Sequence, residues 1–271
     1  MQNIGMKGSY NSDVSPKDNG SNMLGTAATR ADVNAHAGEN GDALHAASSE
    51  GNEGIVELLL AHGADVNARI GEDGDALQAA SAGGHEGIVE TLLAHGADMN
   101  ARAGVHGNAL QAASASGHDG IVEMLLAHGA YVNARAGVYG NALQAASAGG
   151  HEESMKTLLD HGADVNALSG VYGNALRAAS IEGHERIVET LLAYGADVNV
   201  RTSEYGDALQ AASAEGHEGI VGTLLAYGAD VNACASEYGN AIHAACAGGH
   251  RGIVETLLAH GADDNAASPR P

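Results

Sequence analysis

The stretch Gly140–Tyr172, GNALQAASAGGHEESMKTLLDHGADVNALSGVY, decides the fold because it recurs along the chain at a fixed spacing. Gly41, Gly74, Gly107, Gly140, Gly173, Gly206 and Gly239 each open a copy, 33 residues apart. A period of this length marks stacked helix-turn-helix units, each of which buries its apolar face only against a neighbour. The number of copies therefore replaces the number of domains as the measure of size.

Within one copy, Asn141 carries a short side-chain oxygen that accepts from the free amides of a helix start, and Asn or Asp holds that place in every copy. Ala142, Leu143, Ala145, Ala146 and Ser147 predict a short helix that packs closely, ended by Gly149 and Gly150. A second helix begins near His151. In the copy from Gly74 its apolar stripe is Ile88, Val89, Leu92 and Leu93, with Glu86 and Glu90 on the wet side and Gly96 at the left-handed C-terminal position. The stretch that follows is extended and rich in turns.

The 33-residue period, the Gly-His at the second helix, the IVETLL core and the GADVNA connection together resemble ankyrin repeats, over about residues 24 to 266. The copies open NALQ or DALQ in place of the usual TPLH, with His only at His45 and His243. The wording YGNALQAAS and GADVNA is also similar to the ankyrin arrays of fungal intracellular proteins. The resemblance implies an all-α fold, an ankyrin-repeat solenoid of stacked helix-turn-helix units with extended connecting fingers. Residues 1–22 read as a flexible leader and 23–40 as a degenerate half repeat that caps the array. Residues 41–266 read as seven repeats and 267–271 as a tail. Asp264, where Val66, Val132, Val165, Val198 and Val231 stand in other copies, suits a polar end to the stack.

The absence of Phe and Trp and the abundance of Ala and Gly argue against an aromatic-lined ligand cavity. A net charge of −22, from 34 acids against 12 bases, argues against direct nucleic-acid binding. Arg69, Arg102, Arg135 and Arg201 form one column, broken by Leu168 and Cys234. It reads either as charge balance along the connections or as a phosphate-binding ladder. Cys246 stands where other copies have Ser and reads as a small core residue. The N-terminus lacks an apolar signal core, and no run approaches a membrane span, so an intracellular chain is expected, cytoplasmic or nuclear. Two copies carry faults: Ser154 occupies the Ile place of Ile55, Ile88 and Ile121, and Gly222 replaces a helix-favouring Glu. The fourth copy is therefore expected to be an opening point.

His85, His118, His151, His184, His217 and His250 form one column, and His62, His95, His128, His161 and His260 another. In the resembling family the Gly-His side chain ties the loop to the backbone; the second column suits a helix C-terminus. Both repeat with the array, and no metal-ligand, nucleophile-elbow or phosphate-loop spacing occurs. A catalytic site is a unique constellation, so a non-enzyme with no cofactor and no metal is expected.

Function then lies in what differs between copies. In the resembling family, partners are held by the connection tips and the exposed end of the first helix. The tip columns read Glu39, Glu72, Val105, Val138, Val171, Glu204, Glu237 and, next to it, Asn40, Asp73, His106, Tyr139, Tyr172, Tyr205, Tyr238. Acids flank an apolar, aromatic centre. Each Tyr either stiffens its neighbouring connection or serves as an interface anchor, and an exposed Val at a tip has no evident folding role. The expected partner-binding residues are Val105, His106, Val138, Tyr139, Val171, Tyr172 and Tyr205. They would hold a protein partner with a basic surface on the concave face of a monomer, with neither nucleic acid nor membrane. The alternative is a regulatory ankyrin protein, such as a transcription co-regulator or a subunit controlling a larger assembly.

Overall fold

The computed structural model describes residues 33–34, 42–69, 74–201, 206–234 and 239–263. Among them the chain forms fourteen α-helices in seven pairs. These are α1 (Ala43–Ser49) with α2 (Glu53–Ala61), α3 (Ala76–Gly83) with α4 (Glu86–Ala94), α5 (Ala109–Ser116) with α6 (Asp119–Ala127), and α7 (Ala142–Gly149) with α8 (Glu152–Asp160). The series continues with α9 (Ala175–Glu182) and α10 (Glu185–Ala193), α11 (Ala208–Glu215) and α12 (Glu218–Ala226), and α13 (Ala241–Gly248) and α14 (Arg251–Ala259). The leader, most of the half repeat, Asp264 and the tail lie outside the described residues.

Each first helix packs on the first helix of the next copy and each second helix on the next second helix, giving two layers. Leu44, Leu77, Leu110, Leu143, Leu176, Leu209 and, in α13, Ile242 supply one large buried aliphatic side chain per first helix. Each such leucine is worth about 1.5–3 kcal/mol against exposure. The caps read from sequence are in place: Asp42, Asp75, Asn108, Asn141, Asn174, Asp207 and Asn240 each accept from the backbone amide three residues on.

Burial lifts the Asp75 and Asp207 carboxyls above their ordinary pKa, against the opposing pull of the amides they cap. A carboxyl raised in the folded state favours folding most below its ordinary value of 3.8. That contribution is lost as pH rises through the raised value. Asp75→Asn with Asp207→Asn keeps the cap, as Asn108 and Asn141 do, and removes the buried charge. The pair is expected to melt above wild type at neutral pH, with the advantage shrinking on acidification; melting curves across the acid range check this.

Polar columns sew copy to copy. The Nε2–H groups of His85, His118, His151, His184, His217 and His250 donate to carbonyls of the preceding copy 36 residues back, at 2.9–3.1 Å. The second histidine column donates from Nδ1 to the carbonyl four residues back in its own helix, at 2.7–2.8 Å. Asn67, in GADVNA, accepts from the Asp98 amide at 2.8 Å and donates to the Gly96 carbonyl at 3.2 Å in the next copy. Asn133, Asn166, Asn199 and Asn232 repeat this.

Two expectations are corrected. Cys246 is exposed while the matching Ser48, Ser81, Ser114, Ser147, Ser180 and Ser213 are fully buried. The column faces the following first helix, and none of the described residues follows α13 there. Ser154 is not a hole in the apolar stripe. It is fully buried, and its hydroxyl donates to the carboxylate of Asp119 on α6 at 2.5 Å. Further polar contacts tie α8 to α10, from Arg186 to Glu152 at 3.9 Å and from the Tyr194 hydroxyl to Asp160 at 3.0 Å. The fourth copy is thus bonded on both sides.

Ser154→Ile exchanges a bond to a charged group, about 1.5–3 kcal/mol, for aliphatic burial of about 1.5–3 kcal/mol. The two nearly cancel, so Tm is expected to stay close to wild type. In an Asp119→Ala background the bond is already gone, and the same substitution is expected to stabilise. Melting curves of the four proteins form the cycle that measures the coupling.

Candidate functional site

Three connections form closed fingers, Ala103–Gly107, Ala136–Gly140 and Ser169–Gly173, each shut by one antiparallel bridge. The Val138 amide donates to the Val105 carbonyl and the Val171 amide to the Val138 carbonyl, both at 3.0 Å, so the tips are joined into one ladder. The fingers approach closely enough to demand glycine. Gly137 has φ of 61°, and a Cβ there would lie 2.6 Å from the Val105 carbonyl oxygen.

Glutamines fix the finger bases. Gln111 is fully buried on α5, and its amide nitrogen lies within bonding distance of the Ala134, Ala136 and Gly140 carbonyls of the next copy, at 3.3, 3.1 and 3.0 Å. Gln144 likewise donates to Ala167 and Gly173, at 3.1 and 3.0 Å. In α9 the place belongs to Arg177, whose guanidinium donates to the Tyr172 carbonyl of its own finger at 2.9 Å.

On this frame Val105, Val138 and Val171 are 49%, 46% and 52% exposed, far more than folding requires of valine. Tyr139 and Tyr172, half-buried, stack with centroids 6.3 Å apart and planes within 8°. The Tyr172 hydroxyl donates to Glu182 at 3.0 Å; burial first, and then this bond, push its pKa up to about 12. The pair therefore stiffens the fingers and also presents ring surface beside the valines. His106 is half-buried, with Nδ1 lacking a hydrogen-bond partner. With Val105 it borders an open groove of about 370 Å³ whose other walls include His45, Gln78 and Ala82.

Six of the seven expected residues thus share one surface, while Tyr205 lies outside the described residues, as do Glu39, Glu72, Glu204 and Glu237. Tyr131 and Leu168, the latter known from sequence only as a break in the arginine column, are 66% and 46% exposed and were not among the expected contacts. The signal for Tyr131 was a broken column. Asp65, Asp98, Asp164, Asp197 and Asp230 each accept from the amide two residues on, and Tyr131 stands in that place without a carboxylate. Among the described residues no cluster of His, Cys, Asp and Glu could hold a metal ion, and no helix is long and apolar enough to cross a membrane.

Paired short helices stacked at a constant offset, with joined fingers between them, define an ankyrin-repeat array. The family model described as "Ankyrin repeats (3 copies)" matches residues 18–103, 72–136, 110–202 and 176–268, and the chain belongs to this family. Among solved structures it is similar to the human ASB11 ankyrin repeat domain, at 25% identity and a TM-score of 0.70, over 85% of this chain and all of that one. No curated protein matches the chain. The ankyrin fold is in general a protein–protein interaction module.

Proposed function

We propose that this chain is a non-catalytic, intracellular binding module that holds an extended segment of a protein partner on its concave face. The contact centres on Val105, His106, Val138, Tyr139, Val171 and Tyr172, and Tyr205 extends it. The observation that carries this reading is the ladder of half-exposed valines on fingers locked by buried glutamines. Apolar side chains held rigid at the surface bind with little loss of conformational entropy, and stacked tyrosines are frequent anchors of interfaces.

Glu39, Glu72, Glu204 and Glu237 flank this centre in sequence and suit a partner with basic flanks. Charges at a rim act on encounter more than on residence. Affinity capture from cell extract, read by mass spectrometry, yields the partner. Its kinetics are then followed on wild type and on a variant carrying Lys at the four glutamates. A fall in association rate of about tenfold at low salt, with dissociation nearly unchanged, is the expected result. Unchanged association would remove the electrostatic part of the reading.

A further inference from the structure

We propose that Arg102, for which Tyr131 takes the place that Asp230 holds for Arg201, receives a carboxylate of the bound segment, so that the segment is acidic at its centre as well as basic at its ends. This rests on the finger surface being the docking site, and it names the chemistry of what docks there.

The first support is a comparison of copies. The arginine column meets acids at two places. One is the helix cap six residues on: Arg69 faces Asp75 and Arg201 faces Asp207, in each case offsetting a small part of the rise that burial causes. The other lies 29 residues on, where the Arg201 guanidinium contacts Asp230 at 3.0 Å. For Arg102 the cap is the neutral Asn108, and the residue 29 further on is Tyr131. Both of its acids are missing. For Arg135 the cap is the neutral Asn141, while Asp164 holds the second place. Among the described residues Arg201 alone of the four makes an ion pair, while Arg69 and Arg135 each keep an acid at one or both of these places and Arg102 keeps none.

The second support is where the acids lie. In a chain of net charge −22, no acid occurs from Met99 to His118 or from Met124 to His151. These segments hold the fingers and first helices of the third and fourth copies, together with Arg102 and Arg135. The acids between and after them, Asp119, Glu123, Glu152 and Glu153, are on the second helices α6 and α8. The flanking copies keep acids in the matching stretches, including Glu72, Asp73 and Asp75 on one side and Glu204, Asp207 and Glu215 on the other. The stretches that carry Arg102 and Arg135 are therefore free of acid in sequence, within an acidic chain.

The third support is Tyr131 itself. At this place Asp65, Asp98, Asp164, Asp197 and Asp230 each close a local turn, and Asp230 also pairs with Arg201, whereas here an aromatic ring stands 66% exposed. Arg102 lies three residues before Val105, within about 11 Å along the chain. A guanidinium without an ion pair among the described residues, an exposed aromatic ring and an apolar ladder fit a segment carrying Asp or Glu next to apolar residues. The planar fork suits a carboxylate, with two parallel N–H···O bonds.

The test pans a phage library of random peptides about twelve residues long against the full chain, then measures the enriched peptides by fluorescence polarisation. Variants are Arg102→Ala, Tyr131→Asp, Arg69→Ala and the pair Tyr139→Ala with Tyr172→Ala. Tyr131→Asp restores the turn and puts a carboxylate where Asp230 meets Arg201, so it separates loss of the site from loss of the fold. The expected peptides carry Asp or Glu among apolar residues. They lose roughly tenfold or more in affinity on Arg102→Ala and on Tyr131→Asp, and bind Arg69→Ala as wild type. Peptides that need the tyrosine pair but carry no acid, or ignore Arg102→Ala, overturn this inference and leave the docking surface standing. Acidic peptides that need Arg102 but not the tyrosine pair uphold the carboxylate site and overturn the finger-tip reading. If no peptide is enriched over a surface without protein, both fall.

Discussion

Gln111→Ala is expected to lower the unfolding free energy by about 3 kcal/mol or more, the largest single loss available outside the apolar core. The side chain is fully buried, and one amide group faces three carbonyls at the base of the next finger. Its removal leaves the Ala134 and Ala136 carbonyls to be repaired by water or left unpaired, at about 1–3 kcal/mol each when buried, while the Gly140 carbonyl keeps the Ala136 amide. A repeat array sums copy and neighbour terms, so the loss concentrates between the third and fourth copies. Denaturant unfolding gives the size of the loss. Hydrogen exchange gives its place, with faster exchange expected at the Ala136 amide, which closes that finger onto Gly140. A loss below about 1 kcal/mol would mean that the finger bases hold without the glutamine.

The repeat made the architecture readable. A fixed 33-residue period, a cap at each start and a helical stripe after each Gly-His are local signals, and the helices lie where they point. The finger tips were readable for the same reason, as columns in which Val, Tyr and Glu exchange. What escaped was whatever depends on the next copy. Gln111 and Gln144 look like ordinary helix formers until their acceptors, 23 to 29 residues on, are seen. Asn67 and Asn133 read as turn residues, yet they bond across to the neighbouring connection. Ser154 looked like a fault because its partner, Asp119, lies 35 residues back on another helix. Cys246 was given the burial of its column, although a column that faces forward is open at the last described copy. Tyr131 does not show in the tip columns, because the column it breaks is the Asp of GADVNA.

The central claim is that the stacked tyrosines anchor a partner, and it is tested by Tyr139→Ala with Tyr172→Ala. The rings lie parallel at 6.3 Å, and the ladder of valines beside them is held by backbone bonds that the substitutions leave in place. The α-helical fold is therefore expected to survive, as judged by an unchanged circular dichroism spectrum. Interface anchors of this kind cost about 2 kcal/mol or more when truncated, which corresponds to roughly thirtyfold in Kd. The deciding measurement is calorimetric titration of the captured partner into wild type and into the double variant. A Kd weakened by about thirtyfold or more, with the spectrum retained, is the expected result. Equal affinity of the two proteins, with the spectrum retained, would contradict the account.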